Sequence, residues 1–379
     1  MILPMTHGIL PTFIAGTFMS QVIKAFLLTS VFFTVVGCNQ PAEPSQATQL
    51  TPMVHKFHGQ TMGTVYHISL VAPDTFKTTA LQQSIDDQLA AINKAMSTYD
   101  PNSELSLINQ GKAATDATGK ISLSNALYQV LEDSLSVYRH SEGRFDVTVG
   151  PLVNLWGFGP EEADEKRPSD QLIQEKRASV GSDRIILDAA NRSLTLASPL
   201  YIDLSAIAKG WAVDQISTLL EANNINAYLV EIGGELRTSG QKPGNIPWKI
   251  AIEKPAYGLA AREGQWILEP NGKAVATSGD YRNYIEIDGV RFSHTIDPST
   301  GYPITHNLAS VTVVHDSCAM ADAWATALNV AGPDAGMKLA ESQQLAAYFI
   351  IREQNGFAVA TSTAFQARFG TQLADSENN

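Results

Sequence analysis

The hydrophobic period of this chain switches several times between values near 2 and near 3.6, and that switching limits the folds open to it. The run "HGQTMGTVYHISLV" (His58 to Val71), with Val65, Ile68 and Leu70, reads as a first strand. From about Thr79 to Ser97 the spacing turns helical, with Leu81, Ile85, Leu89, Ile92 and Met96 on one face. Asp100-Pro101 breaks that helix, and Asn102 or Ser103 can cap a short second one. A third helix fits Ser124 to His140, and "FDVTVGPLVNLWGFGP" reads as a buried loop with short elements. Glu161 to Ser179 is charged and reads as a surface excursion. Strands are expected at Arg184–Asp188, Ser193–Leu196 and Tyr201–Leu204, followed by a helix from Ala206 to about Asn223. Further strands fit Tyr228–Ile232, Trp248–Glu253, Tyr284–Ile287 and Ser310–Val314. A helix at Ala319–Val330 and a closing hairpin in "AAYFIIREQNGFAVATS" complete the chain. Strand clusters interrupted by long helices, without regular βαβ repetition, predict an α+β fold.

The N-terminus carries a second pattern. Lys24 precedes an apolar run from Ala25 to Val36 that ends in "VVGC". The run is too short to span a bilayer and suits the apolar region of a secretory leader. Its ending resembles a bacterial lipobox, with Cys38 as the lipidated first residue of the mature chain. Residues 1–18 lack the charged segment that opens such a leader, whereas Met19 begins a conventional one. The expected layout is a leader over 1–37, a lipidated and flexible linker over 38–53, a catalytic domain over 54–370 and a tail over 371–379. If Cys38 carries lipid, Cys318 has no partner, and no disulfide framework or cysteine metal cluster can form. Cys318 then reads as a small buried residue.

With 26 basic and 38 acidic residues, a formal charge of −12 and no basic run, the chain is a poor nucleic-acid binder. A phosphate-bearing small ligand needs only a local positive pocket. In "YIDLSAIAKGWAVD", Ser205 is placed to cap a helix whose first amides are unpaired, with Lys209 one turn on and Asp203 just outside. That would seat a phosphate, though a capped helix with a solvated lysine would look the same. In "CAMADAWATAL", Asp322 and Thr326 stand i, i+4 on one helix face, an all-oxygen corner suited to Mg²⁺ or an ordinary surface pair. In "SHTIDPSTGYP", His294 precedes a tight turn and is either a general base or a hydrogen-bonded structural residue.

These stretches fall in order among eight blocks by which the chain resembles the ApbE family of FAD:protein FMN transferases. The blocks are "GQTMGTVYHISL", "MSTYDPNSELSLIN", "GRFDVTVGPLVNLWGFGP", "IDLSAIAKGWAVD", "YLVEIGGELRTSG", "ATSGDYRNY", "SHTIDPSTGYP" and "MADAWATAL". The resemblance implies a fold related to the T-fold, with largely antiparallel sheets, long helices and a flavin cleft between sub-domains. It implies FAD contacts from Met62, Tyr99, Arg144, Phe145, Asp146, Asp203, Lys209 and Ile296. It implies Mg²⁺ on the Ala206 carbonyl and the side chains of Asp322 and Thr326. Some members carry an acid directly before that threonine, where this chain has Ala325. His294 is the candidate for activating the acceptor, with Asp322 as the other catalytic candidate.

The implied reaction cleaves the FAD pyrophosphate, attaches FMN to a threonine or serine hydroxyl of another protein and releases AMP. Two other readings are a Mg²⁺-dependent FAD pyrophosphatase and a flavin-binding lipoprotein without activity. Family acceptors carry a motif of the type Asp-Gly-x-Thr/Ser, as in subunits of sodium-pumping NADH:quinone reductase and Rnf-type complexes. Here Asp288-Gly289-Val290-Arg291 ends in arginine, so modification in trans is expected. The lipid anchor implies an exported bacterial lipoprotein on the periplasmic face of the inner membrane.

Overall fold

The computed structural model describes residues 51–161, 166–253, 264–280, 284–287 and 289–370. The leader, Cys38, residues 39–50 of its linker and the tail lie outside the described residues, whereas Pro52 and Met53, expected in the linker, already belong to the first strand. The described residues all fall in one compact unit.

Its frame is an eight-stranded sheet whose strands lie side by side in chain order. They are β1 (Pro52–Thr61), β2 (Thr64–Pro73), β3 (Tyr228–Ile232), β4 (Glu235–Ser239), β5 (Ala274–Gly279), β6 (Leu308–His315), β7 (Ala346–Glu353) and β8 (Gly356–Thr361). Every neighbouring pair is antiparallel. The sheet is therefore a meander, and the other elements, apart from a helix after the last strand, are insertions between consecutive strands. This agrees with the predicted α+β class.

The run expected as one strand at His58–Val71 is instead the β1–β2 hairpin. Met62 (φ 51) and Gly63 (φ 71) form a two-residue left-handed turn, the conformation whose twist matches the flanking strands. Between β2 and β3 lie α1 (Thr78–Met96), α2 (Glu104–Asn109), α3 (Asn125–His140), α4 (Gly150–Leu155), α5 (Asp170–Arg177) and α6 (Ala208–Ala222). A small sheet of Ile121–Ser122, Ser193–Leu196 and Ile185–Asp188 lies in the same insertion. α1 buries the predicted face, Leu81, Ile85, Leu89, Ile92 and Met96. Of the two predicted caps for α2, Ser103 holds the position, accepting from the Ser106 amide at 2.9 Å. The charged stretch at 161–179 holds α5, which buries only Ile173 and so shows no apolar stripe in sequence.

α7 (Cys318–Ser342) follows β6, and α8 (Thr363–Phe369) follows β8. The helix predicted at Ala319–Val330 runs on to Ser342 through a kink at Gly332, where φ is 77°. One core packs α1, α3, α6 and α7 on the sheet, and includes Ile85, Leu127, Ile216, Ala321 and Val311. A second core lies around Tyr348, Phe365 and Leu268, from β7, α8 and the hairpin Ile250–Glu253/Gly264–Leu268. β6 is buried along its length except at His315, because both faces are covered. A third cluster, Leu152, Trp156, Ile173 and Ile296, underlies the turn after His294. Among the described residues no helix is long and apolar enough to cross a membrane.

Candidate active site

Two insertions, separated by β3 through β6 in the chain, meet where the start of α6 crosses the start of α7. Gly210 makes the crossing possible, since a Cβ there would lie 2.3 Å from the Cys318 carbonyl oxygen. The Gly210 amide donates to Oδ2 of the buried Asp322 at 3.1 Å. It does so instead of closing a helical turn on Ala206, whose carbonyl receives no described backbone N–H. One turn after Asp322, the Thr326 hydroxyl lies 3.3 Å from that of Ser278 on β5. A carboxylate, a hydroxyl and a carbonyl outside the helix ladder are the hard oxygen set that Mg²⁺ takes while keeping waters, so these residues fit that ion. Among the described residues no group of three or more His, Cys, Asp or Glu side chains is disposed to hold a metal. Ala325 is fully buried and adds no ligand.

Lys209 reaches over the same corner. Its Nζ lies 3.0 Å from Glu235 Oε1 and 3.6 Å from Asp322 Oδ2. Burial opposes the ammonium charge, but the two carboxylates outweigh it, and the Lys209 pKa is raised. Glu235 opens β4 after the Gly233-Gly234 turn and is 5% exposed. Burial, partly offset by Lys209 and reinforced by Asp322, holds its carboxyl above the usual carboxylate range. The β1–β2 turn lies beside this cluster, because a Cβ on Gly233 would meet Thr64 at 2.9 Å and the Lys209 stem at 3.3 Å. Met62, in that turn, packs against the main core.

The strand expected at Tyr201–Leu204 is absent. The Ile202 backbone is satisfied by the Asn109 side chain, 2.8 Å in both directions, and the Asp203 amide donates to the Val147 carbonyl at 2.7 Å. No ladder remains for it to join. Ser205 does not cap α6, which begins at Ala208 after Ile207 with no side-chain cap. Its hydroxyl (2.5 Å) and amide (2.9 Å) both donate to Asp203 Oδ1, a local turn that outcompetes capping.

The remaining predicted residues form a second group. Arg144 Nη1 lies 3.8 Å from Asp297 Oδ2, joining "GRFD" to the turn after His294. The Trp156 indole donates to the Gly301 carbonyl at 3.0 Å and locks the same two segments. Phe145 is buried in the main core. The Asp146 carboxylate takes the Thr148 amide and hydroxyl and the Ser182 hydroxyl at 2.6–2.8 Å. Both side chains are therefore engaged within the protein itself. Ile296 is buried against Trp156, and the His294 ring stands edge-on to Phe158 with centroids 6.3 Å apart. Asn329 of α7 donates to the Thr295 hydroxyl at 3.2 Å, so α7 also holds the residue next to His294. Tyr99 is 69% exposed on the loop after α1.

The sequence profile of the ApbE family matches residues 62–349. The chain belongs to the ApbE family. It is 40% identical over 353 residues to the FAD:protein FMN transferase of Haemophilus influenzae, covering 92% of this chain and 98% of that one. Among solved structures, the flavin transferase ApbE of Vibrio cholerae aligns with a TM-score of 0.75 at 40% identity, over 84% of this chain and 99% of its own. The apo flavinyl transferase ApbE of Pseudomonas stutzeri aligns with a TM-score of 0.76 at 38% identity, over 85% and 98%. The ApbE match spans both residue groups described above. Sequence reasoning missed one participant, Glu235, although it lies inside the quoted block "YLVEIGGELRTSG". An acid straight after Gly-Gly was the available signal.

Proposed function

We propose that the chain is a Mg²⁺-dependent FAD:protein FMN transferase, and that it acts on a threonine or serine hydroxyl of an acceptor carrying an Asp-Gly-x-Thr/Ser motif. What supports this reading is the meeting of Asp322 with Lys209 and the Gly210 amide at one helix crossing of an ApbE-family chain, with Thr326 one turn further along α7. The hydroxyl oxygen forms a bond to the FMN phosphorus, the pyrophosphate P–O bond breaks, and AMP leaves. Asp322, the Ala206 carbonyl and Thr326 would hold Mg²⁺, which when bound would supply neutralising charge for the pyrophosphate and the departing phosphate. Lys209 places a fixed positive charge beside the phosphates. His294 accepts the hydroxyl proton, held by the turn that Arg144 and Trp156 brace. Phe145 and Asp146, with Met62, Tyr99, Asp203 and Ile296, position the flavin nucleotide.

Export and lipidation at Cys38 would place this chemistry on the periplasmic face of the inner membrane, where acceptor subunits of the sodium-pumping NADH:quinone reductase and Rnf types are suited partners. Incubation with FAD, Mg²⁺ and a purified acceptor tests the reaction. Fluorescent, covalently flavinylated acceptor is expected. Free FMN and AMP without labelling would instead make it a pyrophosphatase, and unchanged FAD a binder. Asp322→Ala should abolish both Mg²⁺ binding and labelling while the fold survives, and normal labelling at limiting Mg²⁺ would remove Asp322 from the site.

A further inference from the structure

Glu235 has no part in the reaction as written above, yet it is among the least solvated acids in the molecule. Its residue is 5% exposed, one oxygen takes the Lys209 ammonium at 3.0 Å, and the other, Oε2, is buried and accepts no hydrogen bond from any described residue. Leaving a carboxylate oxygen in that state is costly, so a purely structural acid would be an expensive way to complete a strand. The cost has a return if the second charge is needed at the crossing. Lys209 stands between two carboxylates and is 0.6 Å nearer to Glu235 than to Asp322, the difference between 3.0 and 3.6 Å.

We propose that Glu235 is the positioning residue of the cation site: it holds the Lys209 ammonium off Asp322, so that the Asp322 carboxylate stays available to a divalent cation. This rests on the reading of Asp322 as a cation ligand. The charge sum makes the role explicit. With Glu235, Lys209 and Asp322 all ionised the corner carries one net negative charge. Neutralising Glu235 takes the sum to zero and leaves the ammonium only Asp322 to pair with, the group the cation needs. Removing Lys209 as well restores a single negative charge, now on Asp322 itself. Ala325 sharpens the requirement, because with no acid beside Thr326 the cation depends on Asp322 for its one charged side-chain ligand.

The test is titration of the FAD-free protein with Mg²⁺ alone, or with Mn²⁺ followed by its spin-resonance signal, across four forms: wild type, Glu235→Gln, Lys209→Met and the double variant. Circular dichroism and thermal melting of each form show whether it is folded. The expected result is that Glu235→Gln weakens the cation by about tenfold or more, the scale of one charge beside a divalent ion. Lys209→Met should bind at least as tightly as wild type, and the double variant should return to near wild-type affinity. A double variant as weak as Glu235→Gln would overturn the proposal, since it would make Glu235 a ligand or a structural acid acting independently of Lys209. Wild-type affinity in a folded Glu235→Gln would overturn it too. If Glu235→Gln alone fails to fold, the comparison of the double variant with wild type still decides. Asp322→Ala, run in parallel, separates the two layers: retained cation binding there refutes the ligand assignment, whereas its loss with a wrong order among the four forms refutes only the role of Glu235.

Discussion

Gly210→Ala is the sharpest probe of the helix crossing. A Cβ at this position would lie 2.3 Å from the Cys318 carbonyl oxygen, 2.6 Å from its carbon and 2.9 Å from the Ala319 Cα. All three are backbone atoms, so no rotamer change relieves the overlap. Carbon and oxygen sit comfortably at roughly 3.3 Å or more, so the helices must part by about 1 Å. The start of α7 resists, because Asp214 of α6 accepts from the Ser317 hydroxyl at 2.7 Å and the Ala319 amide at 3.0 Å. Overpacking of this kind costs about 1–3 kcal/mol, and the pinned geometry points to the upper end. Alanine in a helix interior recovers about 1 kcal/mol. The net expectation is a loss of about 2 kcal/mol in urea unfolding. The same shift stretches the 3.1 Å bond from Gly210 to Asp322, so Mg²⁺ affinity should fall together with stability. A variant as stable as wild type, or stabilised by its helix propensity, would refute the tight crossing and with it the reason these ligands meet.

His294→Ala should still bind FAD but transfer FMN about 10²–10⁴-fold more slowly, and the wild-type rate should fall in acid as the imidazole protonates; near-normal transfer across pH would return His294 to a structural role. Stability itself should fall below about pH 6.5, for which His306 supplies one cause: burial lowers its pKa, its Nε2 pairs with the Asn329 carbonyl at 2.8 Å, and its Nδ1 accepts from the Leu308 amide. The unfolded chain then takes up the proton first, so this stability is present above pH 6.5 and is lost as pH falls; urea midpoints measured from neutral into acid should decline, and less so in His306→Gln. Cys38→Ala should leave the protein without lipid and released from membranes, and lipid on that variant by mass spectrometry would exclude Cys38 as the attachment point.

Where one property of a residue decides its place, the sequence was legible. Five apolar residues at helical spacing give α1 its buried face, and the i, i+4 pair Asp322 and Thr326 does lie on one helix, α7. Where two local tendencies compete, it was not. Met62 adopts a left-handed turn without the Asn-Gly signature, so the β1–β2 hairpin read as one strand. Ser205 is a good cap in composition, but Asp203 two residues earlier takes its hydroxyl. Gly332-Pro333 signals a stop, yet proline is tolerated at the head of a new helical segment, and α7 resumes beyond the kink. Glu235 was hidden for a different reason: a buried acid is defined by its partners, and those partners come from α6 and α7.

The meander explains why distant residues converge at all. Because the eight strands lie in chain order, an insertion must return to the strand it left or to the next one. α6 precedes β3 and α7 follows β6, and both pack into the same core on the sheet. Their starts can then meet although Gly210 and Asp322 are 112 residues apart. From there α7 acts as a ruler. Asp322 touches α6, Thr326 one turn later touches β5, and Asn329 a further turn on holds Thr295 beside His294. A single helix thereby relates the proposed cation ligands to the proposed base. Such a constellation tolerates only fractions of an ångström of error, and a helix locked at three successive turns supplies that rigidity better than a loop would.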